Sequence, residues 1–400
     1  MPRQATFVDL FSGCGGFSWG LQQAGFRPAM AIDWDDDAVA TYRRNFSAVR
    51  VIQRDLQQVT RDDVLTALAR HPPTLVVSGS PCQGFSTAGR RDPTDPRNSL
   101  LLTAGKLAIS LKPTVFIAEN VAGVIAGTHR RHWDELHALL RSAGYKTSDF
   151  RCDASNHGVP QIRRRMLMIA WRSRTEVNFL LPSLPRVTLF DAISNINGAA
   201  NHQPRELDPS STVGRIAMHI APGQKLCNVR GGNRAVPTWQ VPDVFGHTTI
   251  AERRVLITLR ALRRKYRIRQ HGDADPVTQS QLSKHVKHNA AFLLNSLIRK
   301  GFVRKIGRRF DLTHTFNGKF RRLRWNEPSL TVDTRFGQPR YFLHPDEPRG
   351  FTVREAARIQ GFPDGFEFTG SERAHYRMIG NAVPPPVAAH IARVLQHVLD

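Results

Sequence analysis

The chain has 400 residues, 40% of them hydrophobic, which is enough for two or three domains with buried cores. Its 57 Lys and Arg exceed its 33 Asp and Glu and give a formal net charge of +24, so we expect a polyanionic partner, nucleic acid before an anionic membrane. A merely soluble basic protein is the alternative. The sequence has no signal-peptide stretch and no apolar run of about 18 residues, so we expect a cytoplasmic protein without a membrane segment.

The four cysteines, Cys14, Cys82, Cys152 and Cys227, lie far apart in the sequence. They form no CxxC pair of the kind that binds zinc, and they are too few for the disulfide framework of a secreted protein. We therefore expect reduced thiols and no metal site.

Short apolar segments alternate with segments of helical spacing in the first part of the chain. Strands are predicted at 6–11, 28–33, 50–56, 74–81, 114–121 and 165–171, and helices at 37–46, 61–71, 99–113 and 132–145. The alternation predicts parallel βαβ units, and therefore an α/β fold with a doubly wound sheet. Ligands of such sheets bind at the carboxyl ends of the strands.

The pattern changes after about residue 185. Residues 195–250 show little periodicity, and residues 251–324 carry 20 Lys and Arg against four Asp and Glu. Helical spacing returns at 352–362 and at 383–399. We predict a first domain at 1–185 completed by 375–400, a second at 186–350, and a C-terminal segment 351–400 that returns to the first.

A glycine-rich turn, DLFSGCGGF at 9–17, joins the first strand to a helix. Glycine allows close approach of the backbone to a ligand, and a helix start presents free N–H groups, although packing alone is an equally good reason for these glycines. Asp33 and Asp55 end the next two strands. Carboxylates there can accept hydrogen bonds from ribose hydroxyls and from an exocyclic amine, so the three segments indicate a nucleoside-shaped site.

Cys82 follows a proline at the end of the fourth predicted strand, in GSPCQGFS. Taken alone, such a thiol is more often a packing group than a nucleophile. Glu119, however, ends the neighbouring strand, and a carboxyl group near the thiol in a shielded pocket can act as an acid. Arg163 and Arg165 alternate in QIRRR and share one face of an extended segment, where guanidinium groups can bind carbonyl oxygen or phosphate.

Eight blocks in order resemble the DNA (cytosine-5) methyltransferases. They are DLFSGCGGFSWGL, AIDWDDDAVATYRRNF, RDL, GSPCQGFSTAG, AENVAGV, ASNHGVPQIRRR, FTVREAARIQGFP and YRMIGNAVPPPVA. The resemblance covers about 1–185 and 328–395 and implies a Rossmann-like sheet that binds S-adenosylmethionine, with a smaller basic target-recognition domain between. Two departures are Arg164, where the family usually has an acid, and Asp33, where Glu is commoner.

The resemblance also implies a mechanism. Cys82 would add to C6 of a cytosine, Glu119 would contact the N3 edge and supply a proton, and S-adenosylmethionine would give its methyl group to C5. Arg163 and Arg165 would orient the base and the catalytic loop, and Asn120 would support the pocket. The implied cofactor residues are Phe11, Gly13, Cys14, Gly15, Gly16, Asp33, Trp34, Asp55, Leu56, Pro81, Leu100, Asn381 and Ala382.

A cytosine within a duplex must be swung out before a thiol can reach it. Residues 86–100 are suited to a mobile loop that closes over the extruded base. The residues expected to touch DNA are Gln83, Ser86, Arg97, Lys284, Lys287, His288 and Asn289, and Asn295 is a further candidate for base reading.

Within the basic insert, residues 251–312 predict three helices at 252–269, 275–286 and 289–302, then two strands about Gly307. This order is similar to a winged helix-turn-helix, whose third helix enters the major groove. The alternative is an irregular recognition domain whose basic residues only contact phosphate.

The resemblance therefore implies an enzyme that methylates cytosine in double-stranded DNA, and we expect a monomer. We expect it to be the modification arm of a bacterial restriction or phage-defence system, with a cognate nuclease as a candidate partner. An RNA methyltransferase and a non-catalytic DNA-binding protein are the alternatives.

Overall fold

The computed structural model describes residues 4–81, 95–173, 179–196, 198–269, 274–286 and 289–399. They form two compact units. The first contains residues up to 202, 325–335 and 352 onward, and the second contains 203–324 and 336–351. Residues 186–202 and 325–335, assigned to the second domain on sequence, therefore belong to the first compact unit.

The strands and helices of both units are numbered in chain order. The strands are β1 (Thr6–Leu10), β2 (Arg27–Asp33), β3 (Arg50–Gln53), β4 (Leu75–Ser78), β5 (Val115–Val121), β6 (Lys146–Asp153), β7 (Arg164–Trp171), β8 (Lys225–Leu226), β9 (Ala235–Val236), β10 (Val277–Thr278), β11 (Val303–Ile306), β12 (Arg309–Leu312), β13 (Arg321–Arg322) and β14 (Phe342–Leu343). The helices are α1 (Gly16–Gln23), α2 (Asp36–Asn45), α3 (Arg61–Ala67), α4 (Leu100–Leu111), α5 (Arg130–Ser142), α6 (Leu189–Ile193), α7 (Thr212–Met218), α8 (Pro242–Phe245), α9 (Ile250–Lys265), α10 (Gln279–Ser283), α11 (Ala290–Arg299), α12 (Val353–Gln360), α13 (Glu372–Asn381) and α14 (Pro385–Leu399).

The first unit is built on a seven-stranded sheet in the order β3-β2-β1-β4-β5-β7-β6. The first five strands are parallel, which confirms the predicted α/β fold. At one edge of the sheet the pairing changes, because β7 runs antiparallel to both β5 and β6, a direction that the sequence analysis did not predict. Strand β6 was not predicted: its sequence, KTSDFRCD, is largely polar and half-exposed at the sheet edge, so it lacks a continuous apolar run.

Apolar side chains cover both faces of this sheet, as expected for strands buried between two layers of helices. One face carries Phe116 and Ala118 of β5 in a core completed by α4 and α5. The other carries Val115 and Ile117, packed with α1 and α14. The alternation of β5 therefore places Glu119 on the face covered by the first and last helices of the unit.

The contact between α1 and α14 requires glycine in α1. A Cβ atom added at Gly16 would lie 2.5 Å from the Val383 carbonyl oxygen, closer than such atoms ever approach, and one added at Gly20 would collide with the backbone at Pro385. The C-terminal segment thus packs directly on the helix that follows the glycine-rich turn.

The second unit contains, in order, α9, β10, α10, α11 and the hairpin β11–β12, and its three-stranded sheet has the order β10-β12-β11. The Thr278 side chain accepts a hydrogen bond from the Gln281 amide, so it is the N-cap that the sequence indicates. Helix α11 ends just before Gly301, which has φ +76°, and the hairpin turns at Gly307.

Across both units, the helices in the part of the chain that the structure describes are all too short or too polar to cross a membrane.

Candidate active site

A cavity of about 240 Å³ lies in the first unit at the carboxyl ends of the parallel strands. Its walls come from the turn after β1, the ends of β2 and β4, β5 with β7, and the segment 377–383. Strand order explains the position, because β1 and β4 are neighbours whose connections leave in opposite directions and open a crevice between them.

The glycine-rich turn has an unusual backbone. Phe11, Gly13 and Gly15 have φ values of +57°, +53° and +98°. A Cβ atom at Gly13 would meet no atom within 4 Å, so this residue leaves open space on the cavity wall. A Cβ atom at Gly15 would instead collide with the Phe46 ring, so Gly15 is required for packing.

Asp33 fixes this turn to the end of β2. Its Oδ2 accepts a hydrogen bond from the Gly13 amide at 2.8 Å, and its Oδ1 accepts one from the Asp35 amide at 3.0 Å. Burial raises the pKa of Asp33, and these two amides act in the opposite direction. Trp34 follows on the cavity wall with 71% of its surface exposed, so its ring is not packed in the core.

Two further polar groups on the cavity wall were not predicted as site residues. The buried Ser12 Oγ has no hydrogen-bond partner among the described residues. Asp9 accepts a hydrogen bond from Ser18 Oγ at 2.6 Å, and Ser18 accepts one from the Tyr42 hydroxyl at 2.8 Å. Burial raises the pKa of Asp9 to about 7. A buried hydroxyl without a partner is the feature expected where a polar ligand binds.

Other predicted cofactor residues have different surroundings. Phe11, Gly16, Pro81, Asn381 and Ala382 lie on the cavity wall. The Cys14 thiol is buried 3.9 Å from the Met378 carbonyl oxygen, and burial raises its pKa to about 12. The residues that lie outside the cavity wall are Cys14, Gly15, Asp55, Leu56 and Leu100.

Asp55 and Leu56 have structural contacts of their own. Asp55 is exposed, and its Oδ1 accepts a hydrogen bond from the Gln57 amide at 3.0 Å, while Leu56 is buried in the core. Contact of either residue with a cofactor stays a prediction.

Glu119 and Arg165 face each other in the same cavity. Arg165 Nε lies 2.9 Å from Glu119 Oε1, and both side chains are largely buried. Residue 165 pairs in register with Val121, two positions along β5 from Glu119, so the ion pair is diagonal across adjacent strands on one face. The guanidinium group thereby fixes the direction of the carboxyl group. Arg164 points the other way and pairs with Asp153 at the surface.

Asn120 is on the opposite face of β5 and holds the segment before Cys82. Its Nδ2 donates to Ser80 at 3.3 Å for the carbonyl oxygen and 3.2 Å for Oγ. Pro81, the next residue, is on the cavity wall. Cys82, Gln83 and Ser86 lie outside the described residues.

Arg163 is almost completely buried, and its guanidinium group donates to the main chain. Nη1 donates to the Val332 carbonyl at 3.0 Å, and Nη2 donates to the Gly380 and Ala382 carbonyls at 3.0 and 2.9 Å. These bonds fasten two segments remote in sequence beside the cavity. The described contacts of Arg163 position main-chain segments beside the cavity, and its role in orienting the base stays a prediction.

The residues predicted to touch DNA are only partly described. Arg97 is exposed and paired with Asp95, and this pairing lowers the pKa of Asp95 to about 2. Lys284 and Asn289 are exposed in the second unit, next to α10 and α11. Lys287 and His288 lie outside the described residues.

Comparison with known families decides the identity. The model of the C-5 cytosine-specific DNA methylases matches residues 5–397. The chain belongs to this family. It is a DNA (cytosine-5)-methyltransferase, as the resemblance predicted.

Curated relatives of this methylase match along nearly its whole length. The Type II methyltransferase M.XorII of Xanthomonas oryzae pv. oryzae is 31% identical over 95% of this chain and 82% of its own. The Type II methyltransferase M.DdeI of Desulfomicrobium norvegicum is 30% identical over 97% of this chain and 87% of its own.

Solved structures share the fold of the methylase. A prophage-encoded protein from E. coli assigned as a DNA modification methyltransferase has a TM-score of 0.61 at 24% identity, covering 99% of both chains. Spodoptera frugiperda DNMT2 has a TM-score of 0.53 at 18% identity, covering 99% of this chain and 100% of its own.

Sequence analysis of the methylase missed Arg377 as well as Ser12. Arg377 is on the cavity wall and pairs with Asp35 and with Asp37, the latter at 2.9 Å. The run DWDDD places four acids within five residues, and this local concentration of negative charge is the signal that could have predicted a basic partner. Nothing in the sequence pattern indicates that the partner comes from residue 377.

Proposed function

We propose that this methylase binds S-adenosylmethionine and an extruded cytosine in the cavity of the first unit, with Cys82 as the nucleophile. The observation that carries the proposal is the juxtaposition in one cavity of the glycine-rich turn, Asp33, the Glu119–Arg165 pair and Pro81. Cys82 is the next residue after Pro81.

The residues present fit S-adenosylmethionine. Asp33 offers a carboxylate to ribose hydroxyls, Trp34 an exposed ring to the adenine, and Ser12 a hydroxyl that lacks a protein partner among the described residues. Gly13 leaves open space beside them. When bound, S-adenosylmethionine supplies the methyl group that C5 receives.

The protein residues would act on the pyrimidine ring. Cys82 as thiolate attacks C6, which makes C5 nucleophilic, and the Cys82 sulfur leaves again when the C5 proton is lost. Glu119 contacts the N3 edge, where a proton balances the charge that thiol addition places on the ring. Arg165 fixes the Glu119 carboxyl group, and Asn120 fixes Ser80 next to the nucleophile's turn.

The substrate would be cytosine in a specific duplex sequence, extruded at a cost of a few kcal/mol. We propose that the enzyme is the modification arm of a bacterial restriction or phage-defence system. The support is its similarity to relatives named as Type II methyltransferases. A nuclease of matching specificity would then be the functional partner.

Incubation with tritiated S-adenosylmethionine and either duplex DNA or tRNA tests the proposal. We expect label at C5 of cytosine in the duplex only. Label in tRNA alone would transfer the substrate assignment to RNA, and absence of label from both would contradict catalysis by this cavity.

A further inference from the structure

Residues 250–312, called the basic module below, contain 16 Lys and Arg against four Asp and Glu. Three of the four acids are buried: Glu252, Asp275 and Asp311 are 2%, 5% and 4% exposed. The fourth, Asp273, lies outside the described residues. Because the described acids are buried and most of the described bases are exposed, the described surface of the module is positively charged.

Each buried acid is engaged within the module. Glu252 binds Lys300 at 2.8 Å and accepts from Ser296 Oγ at 2.7 Å. Asp311 lies 2.5 Å from Arg263 and 2.9 Å from Arg304. Asp275 pairs with Arg269. The ten remaining described bases that are exposed are Arg253, Arg254, Arg264, Lys265, Arg267, Lys284, Arg299, Lys305, Arg308 and Arg309. A surface of this kind is complementary to the phosphates of nucleic acid.

Helix α11 has one buried face and one exposed face. Ala290, Leu294 and Leu297 are buried, and the two leucines pack in the module core with α9 and the hairpin. The opposite face exposes Phe292 and Asn295. Phe292 is 66% exposed, which is unusual for a phenylalanine and is not required by the core.

The exposed side chains form a stripe. Residues 292, 295 and 299 are spaced by three and four, so they lie on one face of the helix. Phe292 and Asn295 are separated by about 4.5 Å along the axis, from the rise of 1.5 Å per residue. This distance is comparable with the ~3.4 Å between base pairs, so both side chains can face neighbouring pairs.

We propose that the stripe formed by Phe292, Asn295 and Arg299 enters the major groove of the target and makes the enzyme specific for adjacent A·T pairs. Phe292 would contact a thymine methyl group, and Asn295 would bond an adenine edge through N6 and N7. Lys305 and Arg308 at the hairpin would contact phosphates, which position the helix without selecting sequence. This inference rests on the proposed action on duplex DNA.

The alternative for the stripe is contact with phosphate alone. Base contact and phosphate contact predict different results for a variant. Loss of a base contact reduces discrimination at one position, whereas loss of a phosphate contact lowers affinity for all sequences equally. Arg308 is therefore a matched comparison for Asn295. Ile257, 48% exposed on α9, is an apolar control for Phe292 outside the stripe.

The test uses the full-length enzyme and four variants, Phe292→Ala, Asn295→Ala, Arg308→Gln and Ile257→Ala. Bisulfite sequencing of host DNA first gives the wild-type target. We expect Asn295→Ala to methylate sites changed at one A·T pair, with discrimination reduced about 5- to 150-fold. We expect Arg308→Gln to keep the target, bind all sequences more weakly and lower the salt slope by about 1. Ile257→Ala should have the target sequence and the DNA affinity of the wild-type enzyme.

Replacing thymine by deoxyuridine in the target removes only the methyl group. The affinity of the wild-type enzyme should fall when deoxyuridine replaces one particular thymine. The affinity of Phe292→Ala should be unchanged by the same replacement. Unchanged discrimination in both stripe variants, or equal weakening on every sequence, would overturn the inference. Failure of the wild-type enzyme to methylate any duplex would instead overturn the proposed function.

Discussion

In the active-site cavity, the two arginines are largely buried and donate to groups of the protein itself. Arg163 donates to main-chain carbonyls, and Arg165 donates to Glu119. In the basic module the acids are buried and most of the described bases are exposed. A catalytic site needs charged groups held in one direction, whereas a surface that binds a polyanion needs charge without internal partners. The same residue type therefore has opposite surroundings in the two regions.

Removal of the nucleophile should have the largest effect. Cys82→Ser replaces a thiol by a much weaker nucleophile, so we expect methylation turnover to fall by at least about 10³-fold. The affinity for target DNA should stay within about threefold of wild type, because the basic module is unchanged. Single-turnover methylation and filter binding measure the two quantities. Turnover close to wild type would contradict the covalent scheme.

Loss of the Arg163 hydrogen bonds to main-chain carbonyls tests whether the buried arginine stabilises the first unit. In Arg163→Met the carbonyl groups of Val332, Gly380 and Ala382 lose a charged donor, so we expect the free energy of unfolding to fall by about 3–5 kcal/mol. Arg164→Met is the matched control, because its exposed ion pair with Asp153 is worth about 1 kcal/mol or less. Chemical denaturation measures the free energy of unfolding of both variants. Equal losses in Arg163→Met and Arg164→Met would contradict a stabilising role for the Arg163 hydrogen bonds.

The exposed Trp34 ring tests whether the cavity binds the cofactor as proposed. Ring stacking on a base is worth about 1–3 kcal/mol, so Trp34→Ala should weaken S-adenosylmethionine binding about 5- to 150-fold. Phe190→Ala is the control, since Phe190 is also exposed in the first unit but lies outside the cavity wall. Isothermal titration calorimetry measures the affinity. Equal affinity of Trp34→Ala and wild type would exclude stacking.

A smaller, pH-dependent effect is expected for Glu252 in the basic module. Burial acts to raise its pKa, but hydrogen bonds from Lys300, the Thr249 amide and Ser296 outweigh it and lower the pKa to about 2. The carboxylate therefore contributes stability at neutral pH that is lost as the pH falls from its ordinary value of 4.5 toward 2. Glu252→Gln should lower the free energy of unfolding by about 1–3 kcal/mol at pH 7.

The pH series provides the control for Glu252. The difference between wild type and Glu252→Gln should shrink steadily between pH 4.5 and pH 2 in thermal unfolding. A difference that stays constant over this range would show that Glu252 acts through shape rather than charge.

The strands β1 to β5 could be predicted because their residues form short apolar runs between helical segments. Strand β6 could not, because an edge strand exposed to solvent has no such run, and no pattern in β7 reveals its direction. The glycine-rich turn and Glu119 were recognisable as local motifs. The partners of Arg163 were not, because residues 332, 380 and 382 meet it only after the chain has folded.

In the basic module too, the sequence predicted the elements but not which side chains they expose. The spacing of its apolar residues correctly indicated helices near α9 and α11 and a hairpin at Gly307. The sequence indicated Asn295 together with Lys284 and Asn289, but not Phe292, because the residues that face outward depend on how α11 is rotated on its core. Only packing defines the stripe.

The most direct test of the account uses duplex DNA with 5-fluorocytosine at the target position, together with S-adenosylmethionine. Fluorine cannot leave C5 as a proton does, so the sulfur–C6 bond should persist, and mass spectrometry should find the modified base attached to the peptide that contains Cys82. The three described cysteines, Cys14, Cys152 and Cys227, are buried and should remain unmodified. A wild-type enzyme that methylates normal DNA but forms no adduct at Cys82 with the fluorinated duplex would contradict the central claim.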